Sequence, residues 1–169
     1  MTDIKMTSVN FKNLKEFVFN SFIAMGLNKI DAEIFSDALM FSELRFHSGQ
    51  GQGVQRITTY YKRIKNKEVN VNSEYEIIKE SSSLALVDAK NGIGTVQASK
   101  CMEIAINKAK KEGIGKVIIK NSTHFGSSSV HAVKASSENC IGVVYTNAGP
   151  EMAPWGSKSG GVGTNPWGI

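Results

Sequence analysis

Apolar residues recur at helical spacing through residues 1–70, and beyond them the spacing changes to short strand-like runs separated by helices. A chain with both patterns in that order constrains itself to an α/β fold. The expectation is a helical N-terminal segment followed by a mixed sheet with helices packed on it. Leu14 to Met25 reads as a first helix, with Gly26 as its stop. Asn28 offers an N-cap with Asp31 three residues on, close to a capping box. The helix that follows runs to about Leu44 and turns Ile34, Phe35, Ala38, Leu39 and Phe41 to one side. Gly49-Gln50-Gly51-Gln52-Gly53 interrupts the pattern. A third helix starts within or just after that run, with Val54, Ile57, Tyr61 and Ile64 as its apolar stripe.

The second pattern begins with strands at Tyr75 to Lys79 and Leu84 to Asp88. A helix is expected from Thr95 to Lys111, with Ala98, Met102, Ala105 and Ala109 on one side. Lys116 to Lys120 is a strand, Val130 to Ser137 a helix and Ile141 to Thr146 another strand. Trp167-Gly168-Ile169 reads as the start of one more. This divides the chain into a helical segment, residues 1–70, and the first part of an α/β domain, residues 71–169.

Composition excludes several function classes. The chain has 169 residues, enough for one core or a domain with an arm, and is 41% hydrophobic and 21% charged, as an ordinary globule is. Its net charge of +5 comes from lysines spread over helix faces, without the interleaved arginines and aromatics of a nucleic-acid patch. No nucleic-acid partner is expected. No apolar run is long enough to span a membrane, and the N-terminus lacks the apolar core of a signal peptide, so no membrane partner is expected either. Cys101 and Cys140 form no disulfide framework and no metal spacing. Both stand in apolar contexts that favour buried thiols. These features favour a cytoplasmic protein without a metal.

Candidate chemistry concentrates in the last third. Asn121-Ser122-Thr123-His124-Phe125-Gly126 follows a strand, so His124 sits among small residues at a strand end. Histidine titrates near neutrality and suits proton transfer to or from a substrate oxygen. Taken alone, the hexapeptide reads at least as well as a histidine that only caps a turn. Ser127, Ser128 and Ser129 follow where a helix starts. Free backbone N–H groups and small hydroxyls there suit an anion, although simple N-capping explains the serines too. Ala148, in Asn147-Ala148-Gly149-Pro150, and Thr164, in Gly163-Thr164-Asn165-Pro166, sit in small-residue turns that a flat ring can approach. Pro154 and Trp155 read as packing residues. Gly92-x-Gly94 lies between a strand and a helix, but the third glycine of a Rossmann dinucleotide fingerprint is missing and Val96-Gln97 follows.

In order and spacing, the segments around His124, Met152-Ala153-Pro154-Trp155-Gly156 and Gly163-Thr164-Asn165-Pro166 resemble the malate/L-lactate dehydrogenase family. That family comprises non-Rossmann oxidoreductases of 2-hydroxy and 2-keto acids and includes ureidoglycolate and sulfolactate dehydrogenases. Gly53-Val54-Gln55-Arg56 matches the family's Gly-Val-x-Arg.

The resemblance implies hydride transfer between NAD or NADP and a small 2-keto or 2-hydroxy acid. His124 is then the proton-transferring residue and also borders the cofactor. Ser127, Ser128, Ala148 and Thr164 contact the cofactor. Arg56 grips the substrate carboxylate by a planar fork, where an isolated arginine reads as a solvated helix face. The sequence departs from the family one turn earlier, where relatives carry Ser-His-Gly-Val and this chain has Gly51-Gln52-Gly53-Val54. Gln52 hydrogen-bonds but carries no charge, and shares a helix face with Arg56 if the helix begins early enough. His47 is a spatial substitute for the missing histidine. Members of the family run well beyond this length. The resemblance therefore implies the N-terminal half of such an enzyme, a homodimer when complete, with the fragment alone inactive. The alternative is a cofactor-binding or interaction module that needs the other half.

Overall fold

Asn10 opens the first helix of the computed structural model, which describes residues 7–45 and 52–169. Its Oδ1 accepts the N–H groups of Lys12 at 3.0 Å and Asn13 at 3.2 Å, satisfying donors that the first turn cannot pair internally. Helix α1 spans Phe11–Ala24, and Gly26, at φ +95°, takes the left-handed conformation that turns the chain out of it. Asn28 caps α2 (Lys29–Leu44) reciprocally. Its Oδ1 accepts the Asp31 N–H at 2.9 Å, and its Nδ2 donates to Asp31 Oδ2 at 3.0 Å. Helix α3 is Arg56–Lys65.

The described residues divide into two compact units between Asn72 and Ser73. The first is built on α2, whose Ala32, Phe35, Ala38, Leu39 and Met40 are all buried. Ser36 and Ser42, also buried, donate their hydroxyls back to Ala32 O and Ala38 O, so no donor is lost in the core. Phe22 of α1 stacks on Phe35 with ring centres 4.3 Å apart, and Tyr60 of α3 meets Phe35 edge-on at 4.6 Å. Such pairs contribute about 0.5–1.5 kcal/mol beyond burial, and here they fix α3 against the other two helices. Lys15 of α1 reaches both Glu33 and Asp37 of α2 at 2.7 Å. Its pKa is raised, first by the hydrogen bond to Asp37 and then by that to Glu33.

One expectation for this unit is corrected. The expected stripe on α3 included Tyr61, but Tyr60 is the buried residue at 2% exposure and Tyr61 is 52% exposed. Ile57, Tyr60 and Ile64 sit three and four apart, so an equally regular stripe lies one residue away. The packing of Phe35 selects it.

In the second unit, β1 (Glu76–Glu80) pairs antiparallel with β2 (Leu84–Asp88), and β2 pairs parallel with β3 (Lys116–Lys120). The sheet is mixed, in the order β1-β2-β3. A parallel pair needs a crossover, and α4 (Gly94–Glu112) supplies it. Gly113, at φ +79°, ends that helix. Ala85, Val87 and Cys101 form the centre of the core, joined by Tyr75, Ile104, Val117 and Ile119. Helix α5 (Ser128–Ser136) follows, and the short strands β4 (Val144–Tyr145) and β5 (Trp167–Gly168) pair antiparallel. The expected strand from Ile141 to Thr146 is thus only two residues long. On α4 the expected apolar side, Ala98, Met102, Ala105 and Ala109, is only half-buried. Residues 94–97 are buried outright, because the N-terminal end of α4 is pressed against the turn after β3.

Candidate active site

The carboxyl ends of β2 and β3 are clamped by one side chain. Asp88 Oδ1 accepts the Lys90 N–H at 2.8 Å, and Oδ2 accepts Asn121 Nδ2 at 2.9 Å. The Lys90 N–H, then Asn121 and Lys120, hold the Asp88 carboxyl below the usual carboxylate range. Lys90, Asn91 and Asn121 all have positive φ, at 46°, 61° and 51°. The Asn91 N–H donates to Asn121 O at 2.8 Å, so the two chain ends leave the sheet together.

The next residues interlock. Thr123 Oγ1 accepts the Gly94 N–H at 2.9 Å and donates to Gly92 O at 2.9 Å. One hydroxyl therefore closes the turn that starts α4. A β-carbon on Gly94 would lie 2.1 Å from Thr123 O. The Gly92-x-Gly94 pair that fell short of a dinucleotide fingerprint has a packing role here: the bare α-carbon of Gly94 admits the backbone that carries His124, and that of Gly92 makes room for Gln97, Ala89 and Ser73.

His124 is half-buried, and its Nδ1 accepts the Gly126 N–H at 3.2 Å. An imidazole nitrogen that accepts carries no proton, so the neutral ring bears its proton on Nε2. Gly126 reaches this geometry at φ +82°, where a β-carbon would meet Thr95 Oγ1 at 3.0 Å. Seven residues on, His131 of α5 is buried at 1% exposure. Its Nε2 lies 2.9 Å from Phe125 O, and its ring stacks on Phe125 with centres 5.4 Å apart. A carbonyl only accepts, so His131 Nε2 is the donor. Burial pushes the His131 pKa down and favours the neutral ring. Its Nδ1 has no hydrogen-bond partner among the described residues.

Ser127 stands at the N-cap of α5 without a capping side-chain bond, and its hydroxyl lies 2.7 Å from that of Ser129. The capping explanation for these serines therefore does not hold at Ser127. Strand β5 crosses close to this turn. Gly168 faces Ser128, and a β-carbon there would come within 2.7 Å of Ser128 Oγ. Beyond the β4–β5 pairing, Ala148 and Thr164 are brought opposite each other. The Ala148 N–H donates to Asn165 Oδ1 at 2.8 Å, and a β-carbon on Gly163 would lie 2.4 Å from Ala148 O. Both residues are exposed, and around Gly149 nothing lies within 4 Å of where a β-carbon would stand. Met152 bridges to Val162, and Trp155 stands at the far tip of this loop. Trp155 is fully exposed, at 105%, which corrects its expected packing role.

The second unit therefore brings together His124, Ser127 and Ser128 by chain proximity, and Ala148 and Thr164 by strand pairing. In the first unit, α3 begins at Arg56, whose N–H donates to Gly53 O at 3.0 Å. Gln52 precedes the helix and does not share its face with Arg56. The Val54 N–H donates to Glu43 Oε2 at 2.9 Å, which ties the start of α3 to the end of α2. Arg56 and Gln52 are both half-buried. His47 lies outside the described residues. Sequence reasoning passed over Thr123 and His131. Thr123 carried a signal, being the hydroxyl beside the histidine and downstream of two glycines. His131 carried none, since a histidine inside a helical run reads as surface.

Among the described residues no three His, Cys, Asp or Glu side chains cluster in a way that would hold a metal ion, and no helix is long and apolar enough to cross a membrane. Residues 9–169 match the family model for malate/L-lactate dehydrogenase. The chain is 38% identical over 153 residues to a malate dehydrogenase of Pyrococcus abyssi, covering 90% of this chain and 42% of that protein. To an L-sulfolactate dehydrogenase of Methanocaldococcus jannaschii it is 34% identical over 155 residues, covering 92% and 44%. Among solved structures, a malate dehydrogenase of Pyrococcus horikoshii superposes with a TM-score of 0.89 at 36% identity, over 95% of this chain and 46% of that one. The chain spans less than half the length of these relatives.

Proposed function

The chain belongs to the malate/L-lactate dehydrogenase family, and from that membership we propose that the protein carrying it is an oxidoreductase acting between NAD or NADP and a small 2-keto or 2-hydroxy acid. The observation that carries the reading is the hold on His124. Its backbone is wedged against Gly94, and its Nδ1 is occupied by the Gly126 N–H, so the neutral ring carries its proton on Nε2. A neutral Nε2–H donor would polarise a substrate carbonyl oxygen; to give that oxygen a proton the ring must first be protonated at Nδ1, which breaks the bond from the Gly126 N–H. When bound, the nicotinamide supplies or takes the hydride.

Small residues support a place for that cofactor. Ala148 and Thr164 face each other on exposed backbone, and the space beside Gly149 is open to a flat ring. The start of α5 at Ser127 and Ser128 would offer first-turn N–H groups to an anion such as a phosphate. Arg56 would bind the substrate carboxylate, with Gln52 and His47 as further candidate substrate contacts. In this reading the first unit serves the substrate and the second the cofactor. The free thiols of Cys101 and Cys140 support a reducing, cytoplasmic setting. Large apolar side chains exposed on α1 and α2, among them Phe17 at 60% and Ile30 at 70%, support a homodimer. The 169 residues by themselves are expected to be inactive, because the loop bearing Ala148 and Thr164 lies open to water and hydride transfer needs a shielded, positioned donor.

The test is nicotinamide absorbance with a panel of 2-keto acids, in the active protein that contains this chain. His124→Ala should lower turnover by about two to four orders of magnitude. Near-normal turnover in that variant would remove His124 from the chemistry. Turnover by the 169-residue chain alone, abolished by His124→Ala, would overturn the expectation that it is inactive.

A further inference from the structure

Two imidazoles meet the same peptide group. The carbonyl of Phe125 accepts from His131 Nε2 at 2.9 Å, and the N–H of Gly126, on the other side of that peptide bond, donates to His124 Nδ1 at 3.2 Å. The path is therefore His131 Nε2–H to Phe125 C=O, then Gly126 N–H to His124 Nδ1. We propose that His131 is a positioning residue that sets the tautomer of His124 through the peptide they share.

A peptide is planar, so its C=O and N–H cannot be aimed independently. Fixing the carbonyl fixes the direction of the N–H. His131 is well placed to do the fixing. It is buried, its ring stacks on the Phe125 ring, and it comes from a helix, so it has little freedom to follow a rotating peptide. The carbonyl it holds also becomes a better dipole. Hydrogen bonds in series polarise one another, so the Gly126 N–H becomes a stronger donor.

The consequence falls on His124. With the N–H aimed at Nδ1, the neutral ring must carry its proton on Nε2. The other tautomer, and the imidazolium, would both place a proton on Nδ1, opposite the Gly126 N–H. Both are disfavoured as long as the peptide keeps its orientation, so the ring rests as a neutral Nε2–H donor and becomes imidazolium only when the Gly126 N–H lets go of Nδ1. The charged groups that bear on His131 belong to α5 and α4: Lys134, one turn on, is ion-paired with Glu103.

This inference rests on the reading of His124 as the proton-transferring residue only for its functional meaning, because the tautomer is read without turnover. The experiment is ring-nitrogen NMR of the active protein containing this chain, with labelled histidine, in wild type, His131→Phe and His131→Gln. Phe keeps a stacking ring and removes the donor. Gln restores an N–H at about the reach of Nε2. In wild type, His124 should show Nε2 protonated and Nδ1 bare. In His131→Phe the two tautomers should mix and the His124 titration midpoint should rise. In His131→Gln both should return toward wild type. A wild-type His124 protonated on Nδ1 overturns the proposal whether or not any variant folds. A folded His131→Phe with an unchanged His124 tautomer and midpoint overturns it too. If His124→Ala keeps its turnover while these spectra behave as expected, the functional reading fails and the positioning role stands.

Discussion

A β-carbon on Gly94 would lie 2.5 Å from the carbonyl oxygen of His124, closer than packed side chains come. The start of α4 and the turn bearing His124 are therefore one packed object. Gly94→Ala must push that turn away or unwind the first turn of α4. The expected loss of stability is about 1–3 kcal/mol, as for overpacked cores. Gly149→Ala meets nothing within 4 Å and should change stability by no more than about 0.5 kcal/mol. Denaturant midpoints compare the two, and equal effects would show that Gly94 is not in this contact.

Tyr60 and Tyr61 should separate sharply. Tyr60→Ala removes the edge of the Phe22–Phe35–Tyr60 group and should cost about 3–5 kcal/mol, the range for large buried rings. Tyr61→Ala acts on a half-exposed ring and should cost about 0.5 kcal/mol or less. Thermal unfolding of both variants reads the difference; a reversed order would mean α3 is rotated by one residue.

Arg56 is expected to act on substrate affinity more than on turnover. Hydrogen bonds to charged groups are worth about 1.5–3 kcal/mol, so Arg56→Ala should raise the Michaelis constant for the keto acid at least about tenfold. Arg56→Lys should recover only part, because a point charge cannot reproduce the planar fork. Steady-state kinetics across the accepted keto acids decides it: an unchanged Michaelis constant leaves Arg56 as a surface residue.

The two thiols should label at very different rates. Burial pushes the Cys101 thiol up to about 12, so almost none is thiolate at neutral pH. Cys140 is only half-buried and was wrongly expected to be inside. A thiol reagent under native conditions should modify Cys140 first and reach Cys101 only on unfolding. Peptide mapping after brief labelling gives the answer, and rapid labelling of Cys101 would place it outside the β2–α4 core.

Acid should weaken the fold in two windows. Burial lowers the His131 pKa in the folded chain, so the unfolded chain binds more protons between that value and about 6.5. The associated stability is present in full above about pH 6.5 and is lost as pH falls toward the folded pKa. Asp88, lowered by the Lys90 N–H, contributes stability above its unfolded value and loses it as pH falls through its own folded pKa, in more acidic solution. Unfolding temperature should therefore fall between pH 7 and pH 5, and His131→Gln should flatten that fall. Parallel curves for wild type and variant would show that His131 titrates as it does in an unfolded chain.

Much of the architecture was legible before any coordinates. Asn28 with Asp31, Gly26 after an apolar helix, and the runs Leu84 to Asp88 and Lys116 to Lys120 are local signals, and each became the element it described. Capping, left-handed turns and strand propensity act over a few residues, so a few residues suffice to read them. The segment around His124 was legible in the same way, as a histidine among small residues after a strand.

What the sequence determined by itself is the set of elements, their order and the histidine in the turn after β3. Only the tertiary structure decided which of two equally regular faces of α3 is buried, because Phe35 accepts Tyr60 and not Tyr61. It alone turned an incomplete glycine motif into the seat of His124, since that role depends on Thr123, 29 residues away from Gly94 along the chain. It alone joined His131 to His124, through one peptide whose two ends face different side chains. The physical reason is range: backbone preferences are set by neighbours in sequence. A close contact or a shared hydrogen-bonding group depends on segments that only the folded chain brings together.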